Sequence, residues 1–331
     1  MINKINKHWF TALRYHFTAP SFISAVFGST LALNSNIIFN INYFILLIIA
    51  ILCNHFALNL TDDYFDYLHG ADIATQEQSK YHGGSGVLIN KKINIKFIKI
   101  AFISFYSITA IIGLYFYAKL GFIILLFGLI GMGSSYFYTA PPIAFGYRGL
   151  GELAIFFNFG PLIIIGSYYL QTKTIPLSII INSLPLGFLM FAMIIFNEMP
   201  DFNNDLAANK KTLIVLYGKK IGLYLGIISI SLAYIFIILN IILNYINIMS
   251  LISSISLITL PLAYKAIKLL IQTNGSNGQL SMIKTHNFTG ILLITANIIQ
   301  AIINHQNINN SYIIIIILLL LYFPVILITK K

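Results

Sequence analysis

The chain of 331 residues is poor in charge: Asp, Glu, Lys and Arg together make up 9% of it, and only nine residues are acidic. A soluble globular domain carries about 25% charged residues. The shortage excludes a soluble enzyme, a disordered tail and a nucleic-acid partner. The net charge of +11, in so apolar a chain, belongs to loops flanking a membrane. A single cysteine, Cys53, leaves no internal disulfide and reads as a buried small hydrophobe. The basic N-terminus lacks the short apolar core and small-residue cleavage site of a signal peptide, and reads as a mature cytoplasmic end. Alternation of apolar and polar residues is also missing, so spanning β-strands are excluded.

What the chain has is apolar length. Hydrophobic residues are 58% of it, and its mean hydropathy is +0.85. At roughly 20 apolar residues per crossing, nine or ten helices fit. Ten stretches stand out, at 20–33, 43–60, 97–117, 121–137, 153–170, 177–196, 221–243, 248–263, 288–303 and 312–329. The expected fold is all-α, a polytopic transmembrane bundle of nine or ten helices, with residues 1–331 forming one domain.

Charge placement orients this bundle. With the N-terminus inside and loops counted alternately, every Lys and Arg except Lys119 and Lys173 falls on the inner side. All nine acids fall there too: Asp62, Asp63, Asp66, Asp72, Glu77, Glu152, Glu198, Asp201 and Asp205. Acids used for solubility would be scattered over both faces. The N-terminus and the acidic segments are therefore expected to be cytoplasmic.

Two acidic motifs follow apolar spans. In the first, Asn59, Asp62, Asp63 and Asp66 share one face if the helix persists past its span. In the second, Asn197, Asp201 and Asp205 repeat at a stride of four, with Pro200 expected to kink the helix or start a new turn. One acidic cluster at a helix end is ordinarily a solvated cap. Two matching clusters on one side of a charge-poor chain point to a shared ligand. Carboxylates so close repel one another unless a cation lies between them. Oxygen donors from Asp and Asn suit Mg²⁺, which keeps waters and takes substrate phosphate as well. Lys210 and Lys211 follow the second motif and can neutralise remaining phosphate charge. The Gly83–Gly86 cluster can offer backbone N–H groups to an anion.

At these residues the chain resembles the UbiA superfamily of intramembrane prenyltransferases, and within it the 1,4-dihydroxy-2-naphthoate polyprenyltransferases of the menaquinone branch. That branch carries Asn-Asp-Tyr-x-Asp-Tyr-x-x-Gly-x-Asp, matched here from Asp62 to Asp72 with Asp62 in place of Asn. Its Gly-Gly-Ser-Gly-Val-Leu element is Gly83 to Leu88, and its Tyr-Thr-Ala-Pro-Pro element is Tyr138 to Pro142. Tyr147 to Glu152, Phe159 to Leu162 and Tyr168 to Thr172 match its fifth helix. The second acidic motif and Lys210-Lys211-Thr212-Leu213 follow in order. Leu206 and Asn209 depart from the frequent Lys and Gly. The family has nine helices, which leaves the tenth apolar stretch unaccounted for.

The resemblance implies a central cavity capped by cytoplasmic loops and open towards the bilayer. It implies Mg²⁺ as cofactor, an isoprenyl diphosphate as donor and a lipid-soluble or aromatic acceptor as partner. Asn59, Asp63, Asp66, Asp201 and Asp205 are then the metal–diphosphate set, with Asp62 and Asn197 beside them. Lys210, Lys211 and Lys91 are candidates for phosphate contact. Asp72 is a candidate to orient the acceptor or take its proton, and Tyr138, Arg148 and Asn158 to line the acceptor side. The resemblance implies 1,4-dihydroxy-2-naphthoate as acceptor first, in menaquinone biosynthesis, with 4-hydroxybenzoate, the haem O precursor and an ether-lipid phosphate as the alternatives. A CDP-alcohol phosphotransferase is disfavoured because its Asp-x-x-Asp-Gly-x-x-Ala-Arg run is missing. A secondary transporter places acids near the bilayer midplane, and the middles of these spans hold none.

Overall fold

A computed structural model describes residues 2–35, 37–70, 84–243, 248–273, 277–305 and 310–327. The described residues are almost entirely helical and contain no strand; one isolated bridge joins Arg148 to Lys211. The helices are α1 Ile2–Leu13, α2 Ala19–Ala32, α3 Ile41–His69, α4 Ile95–Leu120 and α5 Phe122–Tyr136. They continue with α6 Gly151–Thr172, α7 Leu177–Ala207, the short α8 Leu213–Tyr217 and α9 Lys219–Leu243. A 3₁₀ stretch Ile248–Thr259 leads into α10 Leu260–Gln272, and α11 Gln279–His305 and α12 Asn310–Leu327 close the series.

Seven of these helical stretches are long and apolar enough to cross a membrane, and shorter apolar helices add to them. The chain is an all-α, multi-pass membrane bundle, as its composition requires. Helix ends follow local chemistry. Asn40 caps α3 by accepting the Tyr43 N–H at 3.0 Å. Gly70, at φ 76°, ends it in the left-handed conformation that glycine adopts without strain. Asn94 caps α4 through the Lys96 N–H at 2.9 Å.

Several boundaries differ from the hydropathy reading. The apolar stretches end at residues 60 and 196, and their helices persist beyond them, to His69 and to Ala207. Pro200 lies inside α7 and does not end it. The acidic motifs therefore stand on helical extensions of two spans, not on separate loops. Within α6, Pro161 has no N–H to give, and the backbone widens to a π turn over Asn158–Leu162. The eighth apolar stretch starts as 3₁₀ helix and its α-helical part reaches Gln272.

α2 is short, about 21 Å long at 1.5 Å per residue, and almost wholly buried. It is surrounded by α3, α6, α7 and α11. Phe22, Phe27, Ile164, Leu186 and Phe196 belong to the core beside it. The tenth apolar stretch forms α12, which lies against the same region: the Tyr322 ring stacks on Phe22 at 4.0 Å, and its hydroxyl hydrogen-bonds with Thr18.

Lipid offers helices no hydrophobic incentive to associate, so close backbone approach through small residues takes over. A Cβ on Gly28 would stand 2.3 Å from the Ile164 carbonyl oxygen. A Cβ on Gly160 would stand 2.5 Å from the Gly187 Cα, and backbone cannot move aside as a side-chain tip can. The α6–α7 contact at Gly160 sets the spacing of the two helices that frame the site below. Gly160→Ala is expected to cost about 1–3 kcal/mol and to lower the thermal midpoint in detergent. Gly133→Ala, with nothing within 4 Å of its added carbon, should melt as the parent does. Equal midpoints for both would refute this account of the α6–α7 contact.

Candidate active site

Twenty residues from Ile41, about 30 Å of helix, bring α3 to Leu60, so its last turns project beyond the apolar layer. α7 repeats this beyond Phe196. The 3.6-residue period then puts Asn59, Asp62 and Asp66 of α3, and Asn197, Asp201 and Asp205 of α7, on the wall of one cavity. Lys210, Tyr138, Arg14, Glu198, Gly84 and Gly86 line it with them.

One contact joins the two motifs. The Lys210 ammonium lies 3.7 Å from Oδ2 of Asp66 and 5.6 Å from the centre of the Tyr147 ring. The Tyr147 hydroxyl donates to Oδ1 of Asp66 at 2.7 Å. Burial works against the charge on Lys210, but Asp66, Asp205 and Asp62 outweigh it and hold the ammonium well above the usual lysine range. Burial and the nearby Asp66 carboxylate push the Tyr147 hydroxyl up, so it stays a donor. The cavity thus carries a fixed cation among carboxylates.

Asp63 has a different place. It is 2% exposed, and both of its oxygens accept from Ser85: the backbone N–H at 3.0 Å and the hydroxyl. It does not line the cavity. Its carboxylate fastens the glycine-bearing stretch, so that Gly84 and Gly86 form part of the wall. Arg14 secures the same corner, donating to Oδ2 of Asp62 at 3.0 Å and to the Asn59 carbonyl at 2.5 Å, with Asp63 at 3.5 Å.

The remaining candidates separate. Tyr138 lines the polar cavity and also a second, apolar one. Asn158 lines only the apolar one, where its Oδ1 accepts from the Ser134 hydroxyl at 2.7 Å. Lys91, Arg148 and Lys211 are exposed and line neither cavity. Arg148 donates to the Pro142 carbonyl at 2.7 Å and pairs its backbone with Lys211. Asp72 and Gly83 lie outside the described residues.

Sequence reasoning missed Arg14, Tyr147 and Glu152. By its place in the sequence Arg14 is one more membrane-flanking charge. Tyr147 sits in the matched run before α6 but has no spacing relation to the acids. Oε1 of Glu152 accepts the Leu213 N–H at 2.5 Å, which holds the segment after Lys210 against the start of α6.

Could these residues hold Mg²⁺? Among the described residues no three His, Cys, Asp or Glu side chains stand close enough to coordinate a metal by themselves. The donor set is all oxygen, however, and Oδ1 of Asn197 and Oδ1 of Asp62 are buried with no hydrogen-bond partner among the described residues. Mg²⁺ takes only one or two carboxylates and completes its shell with waters and phosphate. The residues fit a metal that arrives with a phosphate ligand.

Known proteins resemble this chain. The profile of the UbiA prenyltransferase family matches residues 21–298. The chain is 29% identical over 229 residues to a 1,4-dihydroxy-2-naphthoate octaprenyltransferase of Bacillus subtilis, covering 68% of this chain and 70% of the relative. It is 30% identical over 239 residues to a protein of the same name from Haemophilus influenzae, covering 70% and 76%. A 2-carboxy-1,4-naphthoquinone phytyltransferase of Synechocystis is 26% identical over 229 residues, 68% of this chain and 72% of the relative. In fold, the chain matches a UbiA homolog from Archaeoglobus fulgidus bound to GPP and Mg²⁺, with a TM-score of 0.65 at 14% identity over 89% of this chain and 99% of that one.

Arg14 is the cation that makes the Asp62–Asp63 corner tolerable. Arg14→Met should destabilise the protein by about 3–5 kcal/mol, because it strands buried carboxylates. Adding Asp62→Asn should recover part of the loss in a detergent melting experiment. A single variant that melts like the parent would show that the corner does not need the guanidinium.

Proposed function

The chain belongs to the UbiA prenyltransferase family, and from that premise we propose that it moves a polyprenyl group from an isoprenyl diphosphate to 1,4-dihydroxy-2-naphthoate, a step of menaquinone biosynthesis. The single observation that carries the reading is the shared wall of Asn59, Asp62, Asp66, Asn197, Asp201, Asp205 and Lys210 around one cavity. The names of the naphthoate relatives support the acceptor. Residues 1–331 act as one transmembrane domain, with the N-terminus and both acidic motifs on the cytoplasmic side.

The diphosphate lies in the polar cavity and the polyprenyl tail in the apolar one, whose wall includes Leu47, Ile51, Phe116 and Phe127. Asn59, Asp66, Asp201 and Asp205 would hold Mg²⁺, with Asp63 keeping the Ser85 corner in place. Bound Mg²⁺ supplies charge that stabilises the departing diphosphate. Lys210 neutralises the same group directly, and the Tyr147 hydroxyl keeps Asp66 aimed. As the C–O bond to diphosphate breaks, the allylic carbon lies among Tyr138, Phe159 and Leu58. Aromatic faces stabilise its positive charge, and the apolar wall keeps water from capturing it. The diphosphate leaves with the electron pair of the C–O bond, a ring carbon of the acceptor forms the new bond, and the ring regains its aromaticity by releasing what that carbon carried, a proton or, at the carboxylated carbon, CO2.

Structural neighbours support the donor and the metal: one is bound to GPP and Mg²⁺, another to DMAPP and Mg²⁺. Transport finds no support in this site, whose acids lie past the apolar turns of α3 and α7.

Membranes carrying Asp66→Ala or Asp201→Ala should accumulate the protein yet lose prenyl transfer by about 100-fold or more. EDTA should abolish transfer and Mg²⁺ restore it. Lys210→Met should raise the KM for prenyl diphosphate more than that for the acceptor. Full activity in both Asp variants, or activity indifferent to EDTA, would refute the metal–diphosphate assignment. Mass spectrometry of products from several acceptors and one labelled prenyl diphosphate decides between dihydroxynaphthoate and the other acceptors.

A further inference from the structure

The polar and apolar cavities share a wall made by His55, Leu58, Tyr138, Ile155 and Phe159. Only His55 and Tyr138 bring polar side-chain atoms to it. His55 is 6% exposed and stands on α3 one helical turn before Asn59, within the apolar part of the helix. An ionisable ring at that depth is expensive to keep unless it serves the site.

Its surroundings fix the ring on two sides. Nδ1 lies 2.5 Å from the Ser21 hydroxyl oxygen of α2. The Phe159 ring meets it edge-on, centroids 5.5 Å apart and planes at 77°, and the Ser24 hydroxyl in turn donates to the Phe159 carbonyl at 2.5 Å. Nε2 has no hydrogen-bond partner among the described residues. The packed His286 also keeps an Nε2 with no partner among the described residues, but His286 lines neither cavity whereas His55 lines both. This one is held by one nitrogen and offers the other at the junction of the cavities.

A prenyl diphosphate that straddles the two cavities must pass its first carbon through this junction. Any carbon that bonds to it has to reach the same place. We propose that His55 is an acceptor-binding residue: with Nδ1–H donating to Ser21, Nε2 accepts a hydrogen bond from a hydroxyl of the aromatic acceptor and sets the ring against the allylic carbon. The ligand class is a hydroxylated aromatic ring. Ser21 is the positioning residue that holds the ring through Nδ1. The inference rests on the prenyl-transfer reading and names a contact within it.

The test uses the full chain in lipid nanodiscs with Mg²⁺, a prenyl diphosphate, dihydroxynaphthoate and its O-methyl ethers. His55→Leu should raise the acceptor KM about tenfold, the worth of one buried hydrogen bond, and leave the KM for prenyl diphosphate within about twofold. His55→Gln, whose carbonyl still accepts, should restore most of the loss. Ser21→Ala should give a smaller rise in acceptor KM. The parent should discriminate against one methyl ether, and His55→Leu should lose most of that discrimination, a coupling that packing damage does not produce. If His55→Leu does not accumulate, His55→Gln, Ser21→Ala and the ethers decide alone. Discrimination unchanged in the variants, or both KM values rising together, overturns the proposal while prenyl transfer stands. A parent chain that prenylates no hydroxylated aromatic overturns the prenyl-transfer reading, and this proposal with it.

Discussion

The contact between Lys210 and Asp66 decides whether the two acidic motifs make one site or two. Its 3.7 Å separation joins the end of α3 to the segment after α7, and Tyr147 completes it from the stretch before α6. Three distant parts of the chain thus meet at one carboxylate. Removing either charge would leave the other stranded in a buried setting, which costs far more than the pair itself contributes. The arrangement around it repeats the principle. Arg14 serves Asp62 and Asp63 as Lys210 serves Asp66, and Glu152 steadies the backbone that follows Lys210. Glu198 is the contrast: it is buried, yet one of its oxygens has no hydrogen-bond partner among the described residues.

Much of this could be read from the residues. Apolar length announced the helices, and the strides from Asn59 to Asp66 and from Asn197 to Asp205 announced two faces, since a helix repeats its directions every 3.6 residues. Direction across the bundle was not legible. Asp63 belongs to the same face as Asp66 by spacing, yet Ser85 and Arg14 claim it. Those contacts depend on how remote segments fold back. Lys211, Lys91 and Arg148 are close in sequence to site residues, but closeness along a chain says nothing about which side a side chain takes.

Pro200 argues for a kink or a new turn, because it removes a donor and crowds the preceding turn. The helix α7 continues past it to Ala207. Isolated polar residues are harder to place from sequence. His55 and Tyr147 recur at no interval, so periodicity cannot mark them. Only depth and neighbours reveal their place.

The burial of α2 bears on how the protein is made. This helix leaves the ribosome before every element that encloses it, and it is too short, with Ser21, Ser24, Ser29 and Thr30 along it, to settle in lipid as an independent span. Its walls come from α3, α6, α7 and α11, and α12 closes over Phe22 through Tyr322. The enclosure of α2 is therefore complete only when the last-synthesised helices, α11 and α12, are in place.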